Sequence, residues 1–203
     1  MRLRNNPEAN SILEKHASVI KTTPIKVDEN TILEIGMGKG EMIVQMAINE
    51  PDKKFIGIEK FPTVILKTLK AIDQNKIENL KIVCQDVIKL TEAFEGKVST
   101  IWLTFSDPWP KKRHYKRRLT YKAFLDIYKS LLTTDGVLLI KTDNDSLYEY
   151  SLESLTEYGA DIIFQTTDLY SSHKIKDNVP TGYEIKWHGR GKNINFIEAK
   201  LNK

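Results

Sequence analysis

Apolar residues cluster in five short runs along the chain, at 31–35, 54–58, 80–84, 100–105 and 137–140. Most are nearly continuous rather than alternating, as strands of a parallel sheet covered on both faces should be. Between them apolar residues return at helical spacing. Val64, Ile65, Thr68, Leu69 and Ile72 form one stripe, and Tyr121, Phe124, Leu125, Tyr128, Leu131 and Leu132 a second. Tyr148, Leu152, Leu155 and Tyr158 form a third, which follows Asp145 as its expected N-cap. Strand and helix alternating in this way predict a doubly wound α/β sheet. Two later runs, 161–165 and 195–201, predict strands that close the sheet as an antiparallel hairpin. Ala9, Ile12, Leu13, His16, Ala17 and Ile20 predict a separate N-terminal helix. The 203 residues thus read as a single domain, with residues 1–25 as a helical extension.

Charge sharpens this picture. The formal net charge is +4, but it is concentrated in one place: Lys111, Lys112, Arg113, Lys116, Arg117 and Arg118. Taking those six from the 31 lysines and arginines leaves 25, against 27 acids. Such a local excess fits a docking patch for a polyanion, and mutual repulsion argues against an ordinary solvated helix face. Cys84 is the one cysteine, which fits a reducing, cytoplasmic setting and excludes an internal disulfide. The four histidines have no ligand spacing, so no metal is expected. The start is polar, and no run approaches the length of a membrane span.

The first predicted strand runs directly into Glu34-Ile35-Gly36-Met37-Gly38-Lys39-Gly40. Glycines at a strand-to-helix turn let a ligand approach the backbone closely. Glu59 ends the second strand, 23 residues after Gly36, where an acid can accept hydrogen bonds from a ribose diol. Asp86 follows the third strand, placed to receive an adenine amino group or to cap a turn. A dinucleotide carries a pyrophosphate, and its loop reads G-x-G-x-x-G; here the third glycine comes one position early and Glu41 holds its place. S-adenosylmethionine carries a sulfonium and an ammonium, so three acids beside one glycine loop favour it over NAD.

The remaining signal is the stretch SDPWPKKRHYKRR at 106–118. Asp107 precedes a stiff Pro-Trp-Pro turn, and the cations follow at once, with His114 and Tyr115 among them. A carboxylate on a rigid turn beside a basic run predicts chemistry on a base within a polynucleotide. Asp107 and Asp143 follow the strands at 100–105 and 137–140, so with Glu34, Glu59 and Asp86 they are expected along one rim. A second basic stretch with a ring, KWHGRGK at 186–192, is expected to extend the same surface.

EIGMGKG, IGIEK, FSDPWPKKRHYKRRL, KTDN and TGYE, in that order, resemble the bacterial tRNA (guanine-N7)-methyltransferases, from MRLRNNP to the final strand. The resemblance implies a Rossmann-like class I methyltransferase: a mostly parallel seven-stranded sheet with an antiparallel C-terminal strand and helices on both faces. It implies S-adenosylmethionine as donor, bound by Glu34, Gly36, Glu59, Asp86 and Asp107, with Asp107 also the catalytic residue. It implies substrate contacts at Lys111, Asp143, Thr181, Gly182, Tyr183 and Glu184, and RNA contacts at Arg113, His114, Tyr115, Lys116, Arg117 and Arg118. The partner implied is tRNA, modified at guanine 46 of the variable loop, by a monomer or homodimer. Glu8 stands after Pro7 where family members often carry an aromatic. The rival readings are an amino-methyltransferase on adenine or cytosine, whose D/N/S-P-P-Y/F/W turn SDPWP superficially matches, and an RNA-binding protein with a relic cofactor loop.

Overall fold

The computed structural model describes residues 6–201, apart from the side chains of residues 91 and 92. Residues 1–5, part of the expected extension and of the MRLRNNP resemblance, lie outside the described residues. Helix α1 (Ala9–Lys15) and a two-residue strand, β1 (Ile25–Lys26), come first. Strand and helix then alternate through β2 (Thr31–Ile35), α2 (Glu41–Asn49), β3 (Lys54–Glu59), α3 (Pro62–Asn75) and β4 (Leu80–Cys84). A 3-10 turn at Val87–Glu92 and the short β5 (Phe94–Glu95) lead to β6 (Val98–Thr104). A 3-10 turn at Lys112–Arg117, α4 (Lys122–Leu131) and β7 (Leu132–Thr142) follow. The last third holds α5 (Asp145–Tyr158), β8 (Asp161–Thr166), two 3-10 turns, α6 (Gly182–His188) and β9 (Asn195–Lys200).

Seven strands form one sheet in the order β4-β3-β2-β6-β7-β9-β8, and only β9 runs against its neighbours. Every residue of β2 is buried, as a strand covered on both faces requires. Successive side chains divide between the two faces. Leu33, Ile35, Ile101, Leu103, Leu138 and Ile140 pack against Phe124, Leu125 and Tyr128 of α4 and Leu155 of α5. Ile32, Phe55, Ile82 and Trp102 pack on the other side against Leu13, Ile43, Ile65 and Leu69 of α1, α2 and α3. Glu34 and Lys141, one residue out of step with the first set, therefore point to the α2 side.

Several boundaries differ from the sequence-based expectation, each for a local reason. Helix α1 ends at Lys15, and residues 18–20 run extended along β4, where the Ile20 N–H donates to Ile82 and the Ile82 N–H to Ser18, both at 2.8 Å. The free edge of β4 offers backbone groups that need partners, and a continuing helix would leave them without. Asn144, not Asp145, caps α5: its Oδ1 accepts the Leu147 N–H at 2.8 Å. Asp145 is instead the first helical residue, where a carboxylate suits the helix dipole. Leu132 opens β7 rather than closing α4, so that strand is far longer than 137–140. Strands β8 and β9 pair antiparallel as expected, but residues 167–194 separate them, so they are no tight hairpin. Among the described residues no helix is long and apolar enough to cross a membrane.

Candidate active site

The strand order reverses between β2 and β6: β3 and β4 build outward on one side, β7 on the other. Ligands of open α/β sheets sit at such a switch point, outside the carboxyl ends of the strands. Five adjacent strands each carry one acid at or just after their carboxyl ends, in the order Asp86, Glu59, Glu34, Asp107 and Asp143; Asp86 and Asp107 are exposed, Asp143 half-buried, and Glu59 and Glu34 buried. At about 4.8 Å per strand the row is roughly 19 Å long.

The glycine loop sits over β2. Gly36, Gly38 and Gly40 have φ of +72°, +56° and +69°. That left-handed region favours glycine. A Cβ on Gly40 would stand 2.6 Å from the Thr68 side chain, so the loop also needs glycine there to lie against α3. Beside Gly38 nothing lies within 4 Å of where a Cβ would be, which leaves the top of the loop open. Glu59 braces the loop from below: Oε2 accepts the Gly38 N–H at 3.1 Å and Oε1 the Phe61 N–H at 3.0 Å. Asp86 is exposed, and its Oδ1 accepts the Ile88 N–H at 3.2 Å, so it caps the turn that follows. Phe61 and Ile88, two residues beyond each acid, are 52% and 66% exposed. Each is a large apolar side chain left in water close in sequence to an acid. Neither was singled out by the sequence, where an isolated apolar residue carries no signal.

Glu34 lies inside the protein, not on the rim, and is 2% exposed. Its carboxyl faces Lys141, Thr104 and the Ile43 N–H, and burial raises its pKa to about 7 against those three influences. One oxygen, Oε2, is buried and has no hydrogen-bond partner. Buried polar atoms are costly when unmet, which is why burial here favours the protonated carboxyl.

Asp107 sits exposed in the loop after β6, between two residues with left-handed backbones, Phe105 (φ +49°) and Trp109 (φ +42°). For non-glycine residues that conformation costs on the order of 1 kcal/mol each and persists only where neighbours enforce it. Here they do. The Phe105 N–H donates to the Lys141 carbonyl at 2.8 Å. Arg118 reaches back with Nε donating to the Pro108 carbonyl (3.1 Å) and a terminal nitrogen to the Trp109 carbonyl (3.2 Å). Its guanidinium lies 4.2 Å from the Tyr150 ring centre. Trp109 is flanked by the Arg117 guanidinium (4.9 Å) and, edge-on, by His114 (5.8 Å). Arg118, Arg117 and His114, expected to meet RNA, thus help to hold the Pro-Trp-Pro turn. Lys111, Lys112, Arg113 and Lys116 remain exposed around it. Exposed Tyr115 meets Tyr121 edge-on at 5.3 Å.

The 181–184 segment begins α6. Thr181 and Glu184 form a reciprocal capping box. The Gly182 N–H donates to Glu41 Oε2 at 2.8 Å, tying α6 to the helix that follows the glycine loop. The Tyr183 hydroxyl donates to Asp143 Oδ2 at 2.8 Å, and its ring lies 5.2 Å from that of Phe105. Burial and that hydrogen bond push the Tyr183 hydroxyl up to about 12. Tyr183 and Asp143 therefore stand together beside the Asp107 loop. Glu184, expected at the substrate, is instead fully buried and paired with Lys141 at 2.8 Å. In the 186–192 stretch, Lys186 and Arg190 flank the Trp187 ring, while Lys192 is bound to Asp145.

A mostly parallel seven-stranded sheet with β9 inserted antiparallel between β7 and β8, and a glycine loop at the switch point, is the class I methyltransferase fold. The solved 16S rRNA methyltransferase KamB matches it over 99% of this chain and 96% of its own, with a TM-score of 0.61 at 11% identity. A family model described as "Putative methyltransferase" matches residues 28–197. The tRNA (guanine-N7)-methyltransferase of Mycoplasmopsis pulmonis is 51% identical over all of both chains. That of Mycoplasmopsis synoviae is 54% identical over 98% of this chain and 97% of its own. The chain belongs to the tRNA (guanine-N7)-methyltransferase family.

Proposed function

We propose that the protein transfers the methyl group of S-adenosylmethionine to N7 of a guanine in tRNA, with guanine 46 of the variable loop as the position the resemblance implies. The observation that carries the reading is the set of acids at the strand ends around the switch point, with the exposed cations Lys111, Lys112, Arg113 and Lys116 directly beyond Asp107. The donor fits what is there. Its ribose diol suits Glu59, its adenine the exposed apolar side chains of Phe61 and Ile88, and its ammonium the negative charge that Glu34 carries when ionised. A phosphate would suit none of these. Full-length identity near one half to guanine-N7 enzymes disfavours the amino-methyltransferase and relic-loop readings.

The chemistry assigns little proton work to the protein. N7 of guanine has an in-plane lone pair and no proton, so no general base is required. The N7 lone pair forms the new N–C bond as the C–S bond breaks. The donor supplies an electrophilic methyl on sulfur, and positive charge passes to the purine ring. The protein has to line up N7, methyl carbon and sulfur, and to place negative charge where positive charge develops. Asp107, exposed in the loop after β6, suits the second task as an acceptor for the guanine N1–H and amino group or as a nearby charge. Asp143, fixed by Tyr183, lies one strand further and can share the base's donors. The backbone of the Phe105–Trp109 loop, held by Arg118, does the aligning.

Incubating unmodified tRNA with labelled donor should yield 7-methylguanosine as the labelled nucleoside. Label on an exocyclic amine, or tRNA binding with no transfer, would reject the assignment in favour of one or other rival.

Glu34 adds a pH signature. The free protein holds its carboxyl protonated up to about pH 7, and a bound ammonium favours the ionised form. Donor affinity is therefore expected to rise by about 10-fold between pH 6 and pH 8, and Glu34→Gln to abolish the slope. Calorimetric titration with the donor in buffers of different ionisation heat reads both the affinity and the proton released. The unliganded fold should show the opposite trend. Its stability contribution from Glu34 is complete below the ordinary value of 4.5 and is lost as pH rises through about 7.

A further inference from the structure

Lys141 is buried, and among the described residues no other lysine or arginine is. Its ammonium has three donors, and all three go to one segment: Glu184 Oε2 at 2.8 Å, Asn178 Oδ1 at 2.8 Å and the Val179 carbonyl at 3.0 Å. The rings of Trp102 and Phe105 flank it at 5.7 and 5.9 Å. Its own carbonyl takes the Phe105 N–H, which starts the Asp107 loop. One residue thus fastens two loops, the first by its backbone and the second by its side chain. The second loop delivers Tyr183 to Asp143 and to the Phe105 ring.

A buried ion pair is poor value as a source of stability, because apolar residues of like volume commonly stabilise as well or better. What it does supply is direction, since each of the three bonds has one acceptor at one distance. Resting on the guanine-N7 reading above, we propose that Lys141 is a positioning residue. Its ammonium fixes residues 178–184, and through Tyr183 and Asp143 fixes the wall against which the target guanine is seated. It touches neither base nor donor. A lone lysine beside Thr-Asp-Asn reads in the sequence as a solvated strand end. Only the alternation of β7, which turns it to the α2 side with Leu139, reveals it.

The test uses the full chain. Lys141→Met alone strands a buried carboxylate and is expected to unfold easily. The double variant Lys141→Met/Glu184→Gln removes both charges, keeps the volume and retains a glutamine able to complete the capping box. It is expected to melt cooperatively near the wild-type temperature and to retain S-adenosylmethionine binding, compared at pH 8 because the Lys141 charge also favours the ionised form of Glu34. Amide exchange across 178–188 should quicken at least 10-fold while β2, β3 and β6 are unchanged. The kcat/KM for tRNA should fall at least 10-fold. Adding Tyr183→Phe to the double variant should cost little more, whereas in the wild type it should cost several-fold, because the two changes act through one contact. Unchanged exchange across 178–188, wild-type kcat/KM in the folded double variant, or an undiminished Tyr183→Phe penalty would each overturn the proposal. A wild-type protein that transfers no methyl to tRNA would defeat the function reading instead, and the exchange measurement would still report whether Lys141 holds the segment.

Discussion

Asp107→Asn is expected to lower the single-turnover rate of methyl transfer by roughly 100-fold with donor and tRNA both saturating, in line with loss of one preorganised charge at a reacting centre. The fold should not notice. Asp107 is exposed and makes no hydrogen bond or ion pair among the described residues, and changes at such positions usually fall within about 0.5 kcal/mol. The melting temperature is therefore expected to stay put while the rate drops, which separates this carboxylate from those that hold structure. Asparagine keeps the shape and one acceptor oxygen, so the loss measures charge rather than size. The pH profile carries a second check. With no proton to remove from N7, the wild-type rate should show no limb that belongs to a general base. Rapid-quench measurement of the variant at above a third of the wild-type rate would remove Asp107 from the reaction.

The second large effect concerns the cations beyond it. Replacing Lys111, Lys112, Arg113 and Lys116 together by serine is expected to weaken tRNA binding by roughly 100-fold at 50 mM salt. Duplex binding changes by about 0.9 in log–log salt slope for each phosphate neutralised, so the slope should become shallower by between about three and four. Donor affinity should be unchanged. Arg118→Ala should behave differently, although it looks like one more cation in the sequence. Its guanidinium is spent on the Pro108 and Trp109 carbonyls and on the Tyr150 ring. Losing it should leave the salt slope within about one of wild type and reduce turnover, because the turn that carries Asp107 loses its brace. Titrations of tRNA binding at several salt concentrations, beside single-turnover rates, distinguish the two behaviours. Equal salt slopes for the fourfold variant and the wild type would mean that the 111–116 surface is not the RNA track.

Much of the architecture was legible because it depends on pattern. The runs at 31–35 and 80–84 became β2 and β4 with the same bounds, since all of β2 and Leu80, Ile82 and Val83 of β4 are buried and their apolar character marks the sequence. The acids were legible as a set, because parallel strands bring their ends to one edge whatever the helices do. What could not be read was the depth of each polar residue. Glu34, Lys141 and Glu184 look like surface groups in one dimension, and only strand alternation and the return of α6 place them inside. Arg118 was counted with its neighbours because charge in a sequence carries no partner. Lys15 marked no visible end to α1, as the cause lies 67 residues on, in the open edge at Ile82.

The position of β9 bears on how the protein is made. Strand β8 leaves the ribosome before α6 does, yet its strand partner in the sheet is β9, which also fills the place beside β7. Until residues 195–200 emerge, the β7 edge and the whole of β8 have unpaired backbone, and Ile197 and Ala199 are missing from the core over α4 and α5. The half from β2 to β4 is built from pairings between strands close in sequence. The sheet is therefore closed by its last strand, and a chain stopped before residue 195 would lack both the partner of β8 and the second neighbour of β7.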